Sequence, residues 1–319
     1  MEETQDKITI GLAQMAPVWL KREMTIEKMI TYVDEAAEKH CQLVVFGEAL
    51  LPGYPFWVEH TEGARFESEV QKELYAHYLD QAVDISQGHL NKLCEKAKTY
   101  KMGIIAGCME KAPDRGGHSV YCTLVYIDSG GEVRNTHRKL MPTYEERLVW
   151  AQGDGHGLNT FPLGKFTLGG LNCWENWMPL ARTSLYAQGE DLHVAIWPGN
   201  VRNTREITPF MAREGRSFVV SVGGLMRRED VPDDIPYAAL IRDSLPDVSA
   251  NGGSCAASPS GEWLLAPVEG KEGLAVVTID HAEVRKERHN FDPAGHYSRP
   301  DVLSLNLDKS RQSNIKIES

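Results

Sequence analysis

The sequence predicts an α/β protein in which two sheets pack on each other and helices cover their outer faces. Three observations carry that expectation. Helical periodicities alternate with short apolar runs through the first half of the chain, and again between Cys173 and Val222. Hairpin-like runs without helices lie between and after those stretches, and a mixture of this kind needs layered sheets. No repeat, low-complexity tract or linker divides the chain. Residues 1–319 therefore read as one domain over about 7–290, with a C-terminal tail at 291–319.

The elements follow in order. KITIGLAQMA (residues 7–16) alternates apolar and polar positions, as a strand does. Ile26, Met29, Ile30 and Val33 then fall at i, i+3, i+4 and i+7, one face of a helix. LVVFGEAL (residues 43–50) reads as a buried strand that runs into the turn-rich LPGYP. A second helical face carries Leu90, Leu93, Cys94 and Ala97. MGIIAGCME and SVYCTLVYID are strands separated by the loop PDRGGHS, and Ser129-Gly130-Gly131 turns the chain into EVRNTHRKL. GDGHG (residues 153–157) follows a polar loop rather than a strand, so it reads as a plain turn and not a phosphate loop. FTLGGLNC and HVAIWPG are strands flanking a helix near residues 179–188, and a helix near 208–216 precedes the strand SFVVSVG. Two last strands lie around GSCAASP and EGLAVVTI.

Composition narrows the function classes. The chain of 319 residues has 34 Lys+Arg against 45 Asp+Glu, a formal charge of −11, with 42 % apolar and 25 % charged residues. That balance excludes wholesale disorder, and scattered cations on an acidic chain make a poor nucleic-acid binder. No window approaches 18 uncharged apolar residues, which excludes a membrane-spanning helix, and MEETQDKITI lacks a signal peptide's basic start and apolar run. The six cysteines form no C-x-x-C, and no histidine stands at zinc-ligand spacing from any of them. The expectation is a cytoplasmic protein without a metal. Cys41, Cys94, Cys108 and Cys122 lie in apolar surroundings and read as core thiols.

Three polar residues stand where apolar strands give way to turns. Glu48 precedes a Pro-Gly turn, Lys139 precedes Met141-Pro142, and Cys173 precedes WENWMPLAR. Strand ends beside irregular loops are where α/β proteins build their sites. A thiol can act as nucleophile, a carboxylate can take its proton, and an ammonium can stabilise the charge that develops. Singly, each has a plainer reading: a satisfied carboxylate, a surface cation, another core thiol.

FGEALLPGYPFW, HRKLMPTYEERLVWAQGDG and GGLNCWENWMPLAR, in that order, resemble the three signature blocks of the nitrilase superfamily, and NGGSCAASPSG and FDPAGHYSRPDV resemble further stretches of its nitrilase branch. The resemblance runs from about Ile8 to Val302. It implies a four-layer αββα sandwich without cofactor or metal. It also implies a triad of Glu48 as general base, Lys139 as electrostatic stabiliser and Cys173 as nucleophile. A second glutamate, recurrent seven or eight residues after the lysine, falls on Glu146 rather than Glu145. The sequence Cys173-Trp174-Glu175-Asn176 resembles nitrilases more than amidases or carbamoylases. The expected reaction is hydrolysis of an organic nitrile by water to the carboxylic acid and ammonia, through a cysteine thioimidate and thioester.

Tyr54, Trp57, Trp174, Trp177 and Trp197 lie in or near the signature blocks. Each reads alone as core; as a set they would line an apolar pocket for the substrate. His137 and Glu175 stand behind the site as supporting partners. The resemblance further implies a homodimer, extended in some relatives to larger or spiral oligomers. It would form through a helix at 178–189 with Leu180, Leu185 and Tyr186 on its surface, the tail crossing toward the partner. Competing readings are an amidase, a carbamoylase or a cyanide-hydrolysing enzyme on the same chemistry, and a silent assembly or binding protein. An intact Glu48-Lys139-Cys173 set argues against the last.

Overall fold

Side-chain alternation decides the layering. The computed structural model describes residues 6–315. Its strands are β1 (Lys7–Gln14), β2 (Leu43–Phe46), β3 (Gly103–Lys111), β4 (Val120–Ile127), β5 (Val133–Arg138), β6 (Phe161–Leu163), β7 (Phe166–Asn172), β8 (Leu192–Trp197), β9 (Phe218–Gly223), β10 (Leu225–Arg227), β11 (Val248–Ala257), β12 (Trp263–Glu269) and β13 (Gly273–Asp280). One six-stranded sheet has the order β13-β1-β2-β3-β4-β5; a seven-stranded sheet has β10-β11-β9-β8-β7-β6, with β12 on β11. Each sheet is parallel at its centre, β1-β2-β3 in one and β7-β8-β9 in the other, and antiparallel outside.

Strands buried on both faces read as continuous apolar runs, and here those faces diverge by parity. Leu43 and Val45 of β2 face Val194 and Ile196 of the other sheet in the central core, together with Ile10, Leu12, Ile105, Leu168 and Val220. Val44 and Phe46 face outward, onto Ile26, Met29 and Val33 of α1 (Arg22–Glu38). The other helices are α2 (Trp57–His60), α3 (Glu69–Gln81), α4 (Asn91–Tyr100), α5 (Pro179–Tyr186), α6 (Val201–Thr204), α7 (Ile207–Gly215), α8 (Ala238–Ser244) and α9 (His281–Arg288). Leu93 and Ala97 of α4 join α1 on the first sheet, while α5 and α7 cover the second with Leu185 and with Ile207 and Met211. The result is the αββα sandwich. Among the described residues no helix is long and apolar enough to cross a membrane.

Two expectations need correction. The strand expected over 43–50 ends at Phe46, and Glu48 sits in the turn beyond it. The chain leaves the first sheet here and meets the second, the Glu48 N–H donating to the Trp197 carbonyl at 3.0 Å. Of the three α5 residues expected on its surface only Leu180 is exposed; Leu185 is buried against Leu158, Leu171 and Ala181, and Tyr186 is buried with its hydroxyl donating to Glu214 at 3.0 Å. The tail first docks on its own chain beside α5. Leu307 packs on that apolar cluster, Lys309 reaches Gln188 and Asn159, and Arg311 reaches Asp154. Its last residues, 316–319, lie outside the described residues.

The turn carrying Glu48 is pressed so closely onto β3 that Gly107 has no room for a side chain. A Cβ there would lie 2.5 Å from Glu48 Cα and from the Gly47 carbonyl oxygen. Gly107→Ala is therefore expected to destabilise the fold by about 1–3 kcal/mol, as overpacking does. Chemical denaturation checks this, and a wild-type midpoint would contradict the packing.

Candidate active site

Lys139 follows β5 directly, its N–H donating to the Cys122 carbonyl on β4 at 2.7 Å. GDGHG, expected as a plain turn, forms the buttress behind it. The Gly153 N–H donates to the Lys139 carbonyl at 2.8 Å, and a Cβ on Gly157 would lie 2.2 Å from His137 Cα. So held, the Lys139 side chain is fully buried and its Nζ lies 2.9 Å from Glu48 Oε1 and 2.7 Å from Glu146 Oε2. Cys173 completes the group: its Sγ and one oxygen of each carboxylate lie within 4.8 Å of one another. The four residues singled out from the sequence meet in one buried cluster.

The two carboxylates differ in what surrounds them. Glu146 is the third residue of a short 3-10 turn (Tyr144–Leu148); its Oε2 accepts from Lys139 and from the Thr143 N–H at 2.5 Å, and its Oε1 accepts from the Tyr54 hydroxyl at 3.0 Å. Both its oxygens are occupied. Glu48 Oε1 takes Lys139 and the Cys122 thiol at 3.5 Å, whereas Glu48 Oε2 is buried without a partner. Buried polar atoms are normally satisfied, so a free carboxylate oxygen beside a thiol marks an acceptor for that thiol's proton. The T-x-x-E spacing of a turn cap is the sequence signal that separates Glu146 from Glu145.

Burial sets the protonation. It pushes the Glu48 carboxyl up to about 7, against Lys139, whose charge pulls it down, and with Glu146, which raises it further. The Cys173 thiol is held well above its ordinary value, first by burial and then by Glu48, with Lys139 and the Trp174 N–H opposing. For Lys139 burial acts downward, but Glu48, Cys173 and Glu146 together outweigh it and hold the ammonium well above its ordinary value. Two carboxylates against one ammonium already leave a net negative charge in a dry site, so a resting thiolate would add a second. The same geometry bears on metals: the ammonium fills the space between the carboxylates that a cation would need.

Cys173 opens a 3-10 turn (Cys173–Trp177) with φ +46°, a left-handed conformation that costs a residue with a Cβ about 1–3 kcal/mol. Glu175 ties that turn to the lysine strand. Its carboxylate accepts from the Leu140 N–H at 2.6 Å, the Asn172 N–H at 2.9 Å and His137 Nε2 at 3.0 Å. His137 and Glu175 are thus buried supports, as expected.

The cleft over the cluster holds about 300 Å³ and departs from the expected aromatic pocket. Tyr54, Trp174 and Glu145 line it; Phe56, Glu59, Asn200 and Arg202 line it too, and none of these four stood out in the sequence. Trp57 is buried elsewhere, its ring 4.8 Å from Tyr78 and 6.1 Å from Trp19. Trp197 lies under the sheet end and contributes its carbonyl to Glu48. Trp177 stacks on Trp174 at the surface, 40 % exposed. Indoles near a signature block distribute between core, surface and cleft according to which face of the turn they occupy.

Burial raises the Glu175 carboxyl, but His137 and the two N–H groups outweigh it and hold it below the ordinary value. A lowered carboxylate adds stability above its unfolded pKa, and that stability is lost as pH falls through the folded one. Glu175→Leu leaves the two N–H groups and His137 unpaired, so it should cost about 3–5 kcal/mol near neutral pH, with the deficit shrinking in acid. Denaturation at several pH values checks this; a constant deficit would show that the carboxylate charge is not what holds the two strands.

The comparisons agree with this geometry. The model of the carbon-nitrogen hydrolase family matches residues 9–289. Nitrilase 2 of an unknown prokaryotic organism is 34 % identical over 310 residues, covering 97 % of this chain and 95 % of that protein. Nitrilase 2 of Arabidopsis thaliana is 35 % identical over 303 residues, covering 93 % and 88 %. Among solved structures, a carbon-nitrogen hydrolase superfamily protein from Xanthomonas campestris superposes with a TM-score of 0.67 at 14 % identity, over 95 % of this chain and 99 % of that one; at that identity it speaks for the fold. The chain belongs to the carbon-nitrogen hydrolase family.

Proposed function

We propose that the protein is a nitrilase: it hydrolyses an organic nitrile to the carboxylic acid and ammonia through a covalent bond to Cys173. The observation that carries the mechanism is the unpartnered Oε2 of Glu48 in the cluster with Cys173, while Lys139 and Tyr54 occupy Glu146. Glu48 is the base and Glu146 holds the lysine. The nitrile in place of an amide rests on the relatives that bear the name nitrilase at 34–35 % identity. Residues 7–290 act as the one hydrolase domain.

Attack and deprotonation run together, because neither a free thiolate nor a second buried negative charge is favoured. The Cys173 sulfur bonds to the nitrile carbon as its proton passes to Glu48, which delivers it to the nitrile nitrogen. That gives a neutral thioimidate and restores the carboxylate. Lys139 and the Trp174 N–H stabilise the charge that grows on the way. Water adds to the thioimidate carbon as Glu48 takes its proton and passes it to the nitrogen; the tetrahedral adduct then loses ammonia, its hydroxyl proton leaving with the nitrogen through Glu48, so that a thioester and the free carboxylate remain. A second water adds with the same base, and collapse releases the carboxylic acid and returns the thiol. The protein supplies every proton carrier from its own side chains. A cleft with Glu59, Glu145 and Arg202 at its mouth admits substrates whose remote end is polar.

We further propose a homodimer that pairs the α5–α7 face, where Trp177, Leu180 and Phe210 remain 40, 66 and 50 % exposed, and a cytoplasmic setting. Larger or spiral assemblies build on that dimer, with the tail beside it.

Cys173→Ala should abolish ammonia release from a panel of nitriles while the variant stays folded; more than a few per cent residual rate sinks the nucleophile assignment. Ammonia from amides at higher kcat/KM than from nitriles would instead favour the amidase reading. Lys139→Arg keeps the charge but not its compact shape, so a loss of about 10²–10³ in kcat is expected. With its carboxyl up at about 7, Glu48 must lose its proton to act. The kcat/KM of the wild type should therefore fall about tenfold per unit as pH drops below about 7. A profile flat down to about pH 5 would remove Glu48 from this role.

A further inference from the structure

Behind the Cys173 turn runs a row of buried polar groups that the reaction does not use: Asn176, His193 and Glu190, each at most 2 % exposed. Asn176 Nδ2 donates to the Cys173 carbonyl at 2.8 Å and faces the Leu171 carbonyl at 3.4 Å. Turning the amide over would set its oxygen against two carbonyl oxygens. The atom facing His193 Nε2 at 2.8 Å is therefore Oδ1, which only accepts. On the other side, His193 Nδ1 lies 2.8 Å from Glu190 Oε1. Gly169 of β7 makes that placement possible, since a Cβ there would lie 2.1 Å from the same oxygen. Nε2, facing an atom that only accepts, must therefore carry a hydrogen, and Nδ1 shares one with Glu190 Oε1.

Glu190 Oε2 is buried without a partner, while the charges flanking this row are paired. Arg182 of α5 donates to the Asn176 carbonyl at 2.7 Å and pairs with Glu214 of α7 at 2.6 Å. Arg288 of α9 donates to the Glu190 carbonyl, and Asp191 pairs with His281 at 2.8 Å. None of these supplies an alternative donor to Asn176 Oδ1 or an alternative partner to Glu190 Oε1. The row therefore ends, through one amide, on the carbonyl of the residue whose backbone stands at φ +46°.

We propose that His193 is a positioning residue for Cys173: held between Glu190 and Asn176 with a hydrogen on Nε2, it keeps the Asn176 amide turned so that Nδ2 anchors the Cys173 carbonyl and the left-handed backbone that aims the thiol. This rests on Cys173 being the nucleophile. The imidazole itself does not touch substrate. Its effect reaches the reaction only through the orientation of one amide, so it acts on the chemical step and not on substrate binding.

The test has two arms. In wild-type enzyme labelled with nitrogen-15 in histidine, near neutral pH, the signals missing from His193→Gln should show Nε2 protonated. In the second arm, Asn176→Leu and His193→Leu should each lower kcat by about 10²-fold, the scale of a misplaced reacting group, with KM little changed. Alkylation of Cys173 by iodoacetamide should slow in the same proportion. His193→Gln, which retains a donor toward Asn176 Oδ1, should recover most of the loss. A bare Nε2 in the wild-type spectrum overturns the proposal, as does a folded Asn176→Leu with wild-type kcat, or a His193→Gln no better than His193→Leu. Should the leucine variants not fold, the wild-type spectrum and His193→Gln still decide. Activity retained by Cys173→Ala would overturn the nucleophile reading instead, leaving the nitrogen spectrum to stand by itself.

Discussion

One buried ammonium between two buried carboxylates organises this molecule. A lysine removed from water costs several kcal/mol unless its charge is met at close range, and Lys139 is met twice, at 2.9 and 2.7 Å. Meeting it requires three separate parts of the chain to arrive at one point: the turn after β2, the end of β5 and the short helix that starts at Tyr144. The glycines are placed accordingly. Gly107 lets the Glu48 turn lie on β3, and Gly153 and Gly157 let the following loop lie on the lysine strand. The sandwich brings the two sheet ends close enough for Trp197 to take the Glu48 N–H.

The same arrangement explains why the two glutamates do different work although both touch the lysine. Glu146 is saturated by Lys139, Thr143 and Tyr54, so it can hold charge but has no oxygen left for a proton in transit. Glu48 has one, and burial has moved its carboxyl to about 7, where taking and returning a proton cost nearly the same. Removing Tyr54 from Glu146 would free an oxygen there and blur the division. Electrostatics that look redundant, two acids for one base, are therefore a way of fixing the cation while leaving one acceptor open.

Much of this was legible in the sequence because the layers obey simple periodicities. The 3.6-residue face of Ile26, Met29 and Val33 and the continuous runs in β2, β4 and β8 follow directly from burial on one or both sides. What escaped has a common cause. The helices α3, α8 and α9 bury only two, two and one residues respectively, so they leave no apolar stripe to read. Glu48, Lys139, Glu146 and Cys173 stood out because a charged or reactive residue at the end of an apolar run is conspicuous. The cleft residues Phe56, Asn200 and Arg202 lie in turns without any period, and their grouping exists only once the sheets have packed. Trp57, Trp177 and Trp197 were misplaced for the converse reason, since proximity in sequence to a reactive residue says nothing about which way an indole points.

The cysteine turn shows how local strain and distant packing are joined. A β-carbon-bearing residue at φ +46° does not hold that conformation by its own preference. Here Glu175 fixes the residue before it through the Asn172 N–H, and Asn176 fixes the residue itself through its carbonyl. The first of these reaches across to Leu140 and His137 beside the lysine; the second reaches back through His193 to Glu190, at the foot of β8. The thiol is therefore held from both sheets' strands at once, while its Sγ remains in the cluster with Glu48, one oxygen of which is open. Its distance from the base is set by buried hydrogen bonds that substrate never meets, and this is why the nucleophile can be protonated at rest and still be placed to react.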